Sequence, residues 1–564
     1  MYRNYWLRRA RSPFSRRRML QGSAAMGVGA GSLAFVGCGN DDDDDAPANG
    51  NGNGNGAPEA TRDPGDIERQ GIINFAHTAD ADHLDPHLDT AWTMVVAPHT
   101  HAKLLRWSPD ISEILPDLAE GLPEMNDDGL EYTFTLRPDL QWPDGSPLTS
   151  ADIAYSYNRI AGEELGSPHR YKAGPLAGID TPDDRTVVFR LEEPFVPFVS
   201  FAATGWMIIL PEGWADDHGD RFQDSMGAGP YMIDQRQSTV STQYVPNPNY
   251  YDGERPFVEG MDFRIIPDAS TMDAALISGD IDVIPALTDR GRVDNILNSN
   301  PDIEDIEHPS HHWNMFIMNC EEGREPFDDV RVRRAMNLLI DRELYQAIVH
   351  STGGQPSGPV TWGFEQYAIP QDDLVQRPGY RPDKEEDIQE AMDLLSAAGY
   401  EDGLQLDCAT TTPAAHATYN AGALAIQDQL AEYGIELVLG TTDMAGIQEK
   451  RADGNFDCMV YVNGGSQEID EHIYGPNRTG EARNVNRFSN AELDEMLDRQ
   501  RVTLDEEERT ELIMEIQEKL LEEVPTAWLA DPFYHSLVNR RLRGYNPYLV
   551  WDRSSEFIDA YIEE

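Results

Sequence analysis

The stretch EYTFTLRPDLQWPDGSPLTSADIAYSYNRI, residues 131–160, contains the pattern of a strand, a turn and a helix in close succession. Apolar and polar residues alternate over 131–137, which indicates a half-buried β-strand. WPDG, residues 142–145, has the composition of a turn. Thr149 is followed three residues later by Asp152, a pattern that resembles a capping box and predicts a helix to the end of the stretch.

The rest of the chain repeats this alternation of strands and helices. Apolar runs that begin at or after a glycine predict strands, and apolar residues at helical spacing predict helices. The predicted strands are 71–77, 404–408 and 435–439, and the predicted helices are 328–340, 391–398, 423–433, 490–500 and 505–522. Strands that alternate with helices indicate an α/β class with mixed sheets.

The chain has 564 residues and a formal net charge of −56. Its length suggests two or three domains, at about 150 residues per domain. The excess of carboxylates argues against nucleic acid or an anionic membrane surface as the main partner, because both bind basic patches. Only 5 of the 44 basic residues are lysines. An acidic, lysine-poor surface suits a salty habitat, where salt screens the repulsion between carboxylates.

The N-terminus has the features of an export signal. Residues 1–37 contain seven arginines, no acidic residue and a stretch of small apolar residues. SRRRML, residues 15–20, resembles a twin-arginine signal, and FVGC, residues 35–38, resembles a lipobox. These patterns predict a lipoprotein signal peptide over 1–37 and lipidation of Cys38. The alternative is a signal anchor that stays uncleaved, although the segment is short for a stable span.

A low-complexity segment follows this signal. Five aspartates at 41–45 precede an Asn-Gly repeat over 49–56. Such a composition buries no apolar surface, so we expect a flexible tether over 38–66.

Three cysteines remain after Cys38, namely Cys320, Cys408 and Cys458. The odd number leaves at least one thiol free, and no CxxC or Cys/His metal spacing is present. Each cysteine lies in or beside an apolar run, so we expect buried structural cysteines.

The sequence has no motif that indicates catalysis. GxSxG, HExxH and P-loop patterns are absent. Two groups of histidines, one within 308–312 and one at positions 77, 83 and 87, could be imagined as metal sites. Neither group has the spacing of a helical metal site, which favours exposed or packing histidines. We therefore expect no enzyme activity, no cofactor and no metal.

A series of short motifs resembles the family five extracellular solute-binding proteins of ABC importers, the relatives of oligopeptide- and dipeptide-binding proteins. The motifs occur in the family's order and span roughly residues 71 to 550. They are LDP (84–86), LPDLAE (115–120), YTFTLR (132–137), DG (144–145), ADI (151–153), GAGPY (227–231), NPNYY (247–251), GDID (279–282), PFDDVRVR (326–333), LLSAAGY (394–400) and FSN (488–490).

The resemblance implies a two-lobed, periplasmic-binding-protein-like fold of class II. Two lobes with mixed sheets would close on a ligand about a hinge, with an extra subdomain inserted in lobe one. The implied division is lobe one over 67–98, 227–305 and 526–564, the inserted subdomain over 99–226, and lobe two over 306–525. The linking strands are expected near 313–319 and 524–529.

The resemblance also implies a set of ligand-binding positions. They are Thr90, Ala91, Trp92, Met444, Arg451, Asn463, Ser466 and Trp528. Peptide-binding members hold the peptide α-ammonium with an aspartate at the position of Ser466. A buried ammonium without a carboxylate is costly, so Glu468 or Asp470 would have to replace that aspartate through a loop shift.

Physical alternatives stand beside these positions. Trp92 offers a stacking face or packs in a lobe core, and Trp528 is a cleft wall or a core residue. Arg451 holds a ligand carboxylate or is a surface ion-pair partner.

The implied function is the substrate-binding lipoprotein of an ABC importer. It would capture an extracellular solute, most often an oligopeptide or dipeptide, as a monomer anchored to the outer face of the cytoplasmic membrane. Its partners would be the permease and ATPase subunits. The alternatives are a binding protein for an oligosaccharide or opine-like solute, and a sensor with the same fold.

Overall fold

The computed structural model describes residues 67–88, 96–364, 366–464, 467–547, 553 and 555–563. The strands of this part of the chain are β1 (Ile72–His77), β2 (Leu105–Trp107), β3 (Ile114–Pro116), β4 (Glu124–Met125), β5 (Glu131–Thr135), β6 (Leu176–Asp183), β7 (Thr186–Leu191), β8 (Tyr231–Gln237), β9 (Ser241–Pro246), β10 (Gly260–Ile265), β11 (Val283–Leu287), β12 (Ile303–Pro309), β13 (His312–Met318), β14 (Gly354–Pro356), β15 (Leu404–Thr411), β16 (Ile435–Thr442), β17 (Cys458–Gly464), β18 (Thr526–Trp528), β19 (Ala530–Asn539), β20 (Leu542–Arg543) and β21 (Tyr561–Ile562).

The α-helices of the same residues are α1 (Ser150–Ala161), α2 (Phe198–Ala202), α3 (Trp214–His218), α4 (Ala269–Ser278), α5 (Arg290–Ser299), α6 (Val330–Leu339), α7 (Arg342–Val349), α8 (Gln371–Leu374), α9 (Glu385–Ala398), α10 (Ala417–Ala431), α11 (Met444–Asp453), α12 (Ile469–Asn477), α13 (Ala491–Val502) and α14 (Glu506–Glu523). Two short 3₁₀ turns cover Ala97–His99 and Arg170–Ala173.

Three larger sheets define three bodies. Lobe one contains an eight-stranded sheet in the order β12-β19-β11-β1-β10-β9-β8, with β14 paired to β19. Lobe two contains a five-stranded sheet in the order β16-β15-β17-β13-β18, and the inserted subdomain contains the sheet β4-β5-β7-β6. The subdomain and lobe two each bury a large hydrophobic cluster of their own, and lobe two has a second, small one. Lobe one contains two clusters, of which one also includes subdomain residues between 208 and 222. This is the α/β two-lobed fold with an inserted subdomain that the sequence predicts.

The stretch 131–160 forms the elements that its pattern predicts. Strand β5 pairs with β7, and α1 begins after Thr149. The Thr149 hydroxyl accepts a hydrogen bond from the backbone of Ala151, and the Asp152 carboxylate accepts one from the backbone of Thr149 at 2.7 Å. This reciprocal capping box satisfies N–H groups that the first helical turn leaves without a partner.

Three strands lie on the other side of the boundaries that the sequence analysis placed. Strand β14 falls within the segment 306–525 assigned to lobe two, but it pairs with β19 of the lobe one sheet. Strand β18 falls within the segment 526–564 assigned to lobe one, but it is the edge strand of the lobe two sheet, paired with β13. Strand β12 runs past the predicted start of lobe two at residue 306 and pairs along its whole length with β19 of lobe one.

The lobes are connected where β12 passes into β13 and where β18 passes into β19. A single residue, Leu529, separates β18 from β19. Its backbone N–H donates to the carbonyl of Asn314 at 2.8 Å. The backbone N–H of Asn314 in turn donates to the buried carboxyl of Asp531 at 2.9 Å. We call this region, residues 309–314 and 528–532, the crossover.

A buried ion pair ties the inserted subdomain to lobe one. Arg159 on α1 donates to both oxygens of Asp85, at 3.0 and 2.7 Å, and the Asp85 side chain is fully buried. Asp85 also accepts from the backbone of His87 and Arg221. Burial raises the pKa of Asp85, but Arg159 more than offsets this effect and holds the pKa below its usual value.

The three cysteines in the described residues are buried and free, as their apolar surroundings predict. Cys38 lies outside the described residues. No helix in the described part of the chain has both the length and the apolar character needed to span a bilayer.

Three histidines in or next to the crossover are buried without charge. Burial lowers the pKa of His308 and of His312 to about 4, and that of His311 to about 3. Nearby histidines add to the effect on His311, whose ring also contacts Phe364. These residues are therefore packing histidines in the neutral form at pH 7.

We predict that Asp85→Asn destabilises the protein by about 3–5 kcal/mol, because it removes the buried carboxylate that pairs with Arg159 and leaves that guanidinium only the exposed Asp220 as a counter-charge. Chemical denaturation at pH 7 measures the change. Asp294→Asn is the matched control, since Asp294 pairs with Arg290 on an exposed helix face. The control should change stability by less than about 1 kcal/mol. Equal effects of the two substitutions would contradict the prediction.

We also predict that the free energy of unfolding falls as the pH is lowered from about 6.5 to 4. In this range an unfolded histidine binds a proton near its ordinary pKa, whereas folded His308, His311 and His312 do not. The unfolded state then binds more protons, and each such group contributes up to about 1.4 kcal/mol per pH unit. Asp531 acts in the opposite direction, because burial raises its pKa to about 7.

Denaturation curves at several pH values measure this slope. His311→Gln should reduce it, whereas His218→Gln, at an exposed position, should leave it unchanged. An unchanged slope in the His311 variant would contradict the assignment.

Candidate ligand-binding site

The parallel strands of lobe two end at one edge of its sheet. Strand β15 pairs in parallel with β16 and with β17, and the three end at Thr411, Thr442 and Gly464. In open α/β sheets, ligands bind outside the carboxyl ends of parallel strands. We therefore take this edge, together with the adjoining crossover, as the candidate site.

Strand register places several side chains on one face of the lobe two sheet. Trp313 lies opposite Asn463, and Met315 lies opposite both Tyr461 and Trp528. Cross-strand partners point to the same side of a sheet, so these five residues share a face. Asn463 is half-buried, whereas Trp528 is 4% exposed and belongs to the lobe two core. The role of Trp528 in ligand binding stays a prediction.

Arg451 on α11 is held by an aromatic side chain. Its guanidinium lies 4.1 Å from the ring centroid of Tyr461, and Nη1 donates to the Tyr461 hydroxyl at 2.9 Å and to Gln448 at 2.7 Å. The Nε atom is buried with no hydrogen-bond partner in the described residues. Among those same residues, no carboxylate lies within ion-pair distance of Arg451. The Arg451 guanidinium therefore has a positive charge and N–H donors that are available to an anionic group of a ligand.

The other predicted positions differ in what the structure says of them. Met444, the first residue of α11, is half-buried against the lobe two core. Thr90, Ala91, Trp92 and Ser466 lie outside the described residues. Their predicted roles stay predictions.

The two alternative ammonium anchors already have partners inside lobe two. Glu468 is buried and forms an ion pair with Arg509 at 2.6 Å. Asp470 is also buried, and its two oxygens accept from Arg501 at 2.9 and 3.0 Å and from Gln500. To hold a ligand ammonium, either carboxylate would have to leave a buried arginine without its counter-charge, which is costly. The geometry therefore disfavours both residues as anchors.

The sequence analysis missed an aromatic cluster beside this edge. The ring centroids of Trp313 and His472 lie 3.9 Å apart, and those of His472 and Phe364 lie 4.4 Å apart. The indole nitrogens of Trp313 and Trp362 and the amide oxygen of Gln467 are buried without a hydrogen-bond partner in the described residues. Such groups offer neutral donors and an acceptor to a polar ligand. Spacing along the sequence gives no sign of the cluster, because its members come from separate elements.

No cluster of three or more histidine, cysteine or acidic side chains in the described residues has the arrangement of a metal site. The site consists of aromatic rings, neutral hydrogen-bonding groups and one arginine.

The chain resembles known proteins over most of its length. It is 26% identical over 504 residues to the probable D,D-dipeptide-binding periplasmic protein DdpA of Escherichia coli, covering 85% of this chain and 92% of that protein. It is 24% identical over 500 residues to the dipeptide-binding protein of E. coli, covering 82% and 89%.

Solved structures share the fold. AgaA of A. tumefaciens R10, in complex with agropinic acid, has a TM-score of 0.75 at 23% identity, with 88% of this chain and 99% of that chain covered. DppA of Helicobacter pylori, in complex with the peptide STSA, has a TM-score of 0.75 at 22% identity and the same coverage.

The family model for bacterial extracellular solute-binding proteins, family 5 middle, matches residues 113–482. The match covers more than half of the chain and includes the inserted subdomain's sheet and most of lobe two. The chain belongs to the family 5 bacterial extracellular solute-binding proteins.

Proposed function

We propose that this protein captures peptides between its two lobes and delivers them to an ABC importer, and that it acts by binding alone. The observation that carries this proposal is the edge of the lobe two sheet, where aromatic rings and neutral hydrogen-bonding groups adjoin the crossover. Relatives named for dipeptide binding support the choice of ligand.

Binding would work by closure about the crossover. A ligand that contacts both lobes stabilises the closed state by its differential affinity for that state. Closure removes water from around the ligand, and the closed form is the one that the permease would engage. The connections at the crossover are short, so the lobes can rotate while both sheets keep their strand pairing.

Arg451 is the residue that we propose for a ligand carboxylate. Its side chain is already oriented by Tyr461, so little rotamer freedom is lost on binding. Asn463, Ser466 and the segment Thr90–Trp92 would complete the contacts from the two sides of the cleft.

A second candidate is a carboxylate-bearing solute that has no free ammonium group. The observation in its favour is that Glu468 and Asp470 are paired with Arg509 and Arg501. The structural relative AgaA was solved in complex with agropinic acid.

Export and anchoring follow from the N-terminal motifs. We propose that the twin-arginine-type signal over 1–37 directs export, that Cys38 is lipidated, and that 38–66 tethers a monomeric binding protein to the outer face of the cytoplasmic membrane.

Thermal unfolding with panels of peptides, N-acetylated peptides and oligosaccharides tests the ligand class. A ligand at 100 times its Kd should stabilise the folded state by about 2.7 kcal/mol. Stabilisation by peptides supports the proposal, and stabilisation by sugars alone contradicts it. Equal responses to free and acetylated peptides would agree with the absence of a carboxylate anchor.

Arg451→Gln should weaken binding of peptides that have a free carboxylate by about tenfold, and it should not affect peptides with an amidated C-terminus. Titration calorimetry measures both. Arg290→Gln, on an exposed helix of lobe one, is the matched control. If the Arg451 variant binds peptides with the same affinity as the Arg290 variant, the proposed role of Arg451 is wrong.

Cys38→Ser should move the protein from the membrane fraction to the soluble fraction of cells, because it removes the thiol that carries the lipid. Immunoblots of the two fractions measure the change. Retention of the variant in the membrane would support the uncleaved signal anchor instead.

A further inference from the structure

A buried ion pair links the inserted subdomain to lobe two. Lys172, in the turn Arg170–Ala173, places Nζ 2.7 Å from Oε2 of Glu471 on α12. The Lys172 side chain is fully buried and that of Glu471 is 8% exposed. This pair joins two bodies that have separate hydrophobic cores.

The second carboxylate oxygen of Glu471 is also bound from both bodies. The Tyr171 hydroxyl of the subdomain donates to Oε1 at 2.7 Å, and Arg483 of lobe two donates to it at 3.1 Å. Lys172 lies over the rings of Tyr171 and Phe201, at 4.9 and 4.8 Å. Glu471 therefore accepts hydrogen bonds from both the subdomain and lobe two.

The turn that presents Lys172 is tightly constrained. The Lys172 backbone donates to His169, and Gly174 ends the turn at a φ of +66°. A β-carbon at Gly174 would come within 2.5 Å of the Phe195 ring. The position therefore requires glycine for both its backbone angle and its packing.

Neighbouring contacts extend the same interface. The backbone N–H of Val196 donates to the carbonyl of Arg501 at 2.8 Å, and the Arg501 guanidinium lies 4.9 Å from the Phe195 ring centroid. On its other side the subdomain is tied to lobe one through Arg159 and Asp85. If the lobes separate about the crossover with the subdomain held to lobe one, the contacts between the subdomain and lobe two are the ones that break.

The energetics of such a pair are asymmetric. In the closed state the charges attract without water, and in the open state both regain hydration, so an intact pair contributes little net free energy. Substituting one residue of the pair leaves the other charge without this partner in the closed state only. The substitution therefore disfavours closure. Salt screens the pair weakly, since both side chains are buried.

We propose that Tyr171, Lys172, Glu471 and Arg483 form a latch that makes the inserted subdomain part of the closing interface and sets ligand affinity without ligand contact. This inference rests on the proposed function, because it assigns the latch to the closed, ligand-holding state. Tyr171 and Lys172 are positioning residues. They define the orientation in which the subdomain meets α12, and therefore the geometry of the closed cleft.

Lys172→Met tests the latch, and Lys519→Met is the matched control. Lys519 pairs with Glu492 within lobe two, so the same substitution there breaks a pair that closure does not involve. Small-angle X-ray scattering of the purified protein, with and without a pool of free peptides, reports the separation of the lobes. Titration with the same pool reports apparent affinity, and circular dichroism reports folding.

We expect Lys172→Met to increase the radius of gyration relative to Lys519→Met and to weaken peptide binding by about tenfold or more. Tyr171→Phe removes only one donor and should shift both quantities in the same direction by less. It serves as the test if Lys172→Met fails to fold.

Equal radii and equal peptide responses for the Lys172 and Lys519 variants would overturn the latch. Scattering separates this failure from a failure of the proposed function. A larger radius for Lys172→Met when no peptide binds either variant would keep the latch and refute the peptide ligand. Equal radii with strong peptide binding by both variants would refute the latch and keep the ligand.

Discussion

The architecture depends on the hydrogen bonds at the crossover, where Asn314 binds Asp531 and Leu529. Strand β18 belongs to the lobe two sheet and β19 to the lobe one sheet, with only Leu529 between them. The backbone therefore changes sheets within one residue, and its polar groups need partners at that point. The fully buried carboxyl of Asp531 is one of these partners, and burial raises its pKa to about 7. Two separately packed lobes can move as units because so little of the chain joins them.

Buried charge pairs mark the places where the three bodies meet. Asp85 and Arg159 join the subdomain to lobe one, and Lys172 and Glu471 join it to lobe two. In a chain with a net charge of −56, exposed carboxylates keep the surface hydrated and contribute little to specific packing. Buried pairs act differently, because each requires one geometry to compensate the loss of hydration. Charge pairing thus serves the orientation of the bodies, while hydrophobic clusters hold each body together.

The need to pair buried charges also shapes the candidate site. Carboxylates at the start of α12 are paired with Arg501 and Arg509, and the histidines of the crossover are neutral. What remains at the edge of the lobe two sheet is a group of buried aromatic rings, neutral hydrogen-bonding groups and Arg451. A site of this kind recognises its ligand through shape, stacking and a few hydrogen bonds, with one position for an anionic group. Under the proposed function, the ligand would enter a cleft in which Arg451 is the charged group left for it.

Local pattern was sufficient for the elements that the sequence analysis named, although the bounds of several of them differ in the structure. The alternation over 131–137, the capping box at Thr149 and the apolar periodicities of the later helices predicted elements that the structure contains, because period and capping are properties of a few adjacent residues. Ordered motifs also indicated the two-lobed fold and its family. Strand β18 was assigned to lobe one, although it pairs within the lobe two sheet. Its sequence is almost continuous with that of β19, and the two strands differ only in the strands with which they pair.

The residue pattern was enough to predict the named helices and strands, the overall charge, the solute-binding fold and the buried environment of the cysteines. Which charged groups are available to a ligand became apparent only when folding brought distant segments together. Glu468 and Asp470 were interpreted as possible ammonium anchors until the structure placed Arg509 and Arg501 against them. For the histidines of 308–312 the sequence left exposed and packing positions open, and it gave no sign of the pairing of Lys172 with Glu471. The cause is distance along the chain. Pairs separated by about 30 to 300 residues leave no periodic trace in the sequence, and the free energy of a buried charge depends on the partner that folding brings to it.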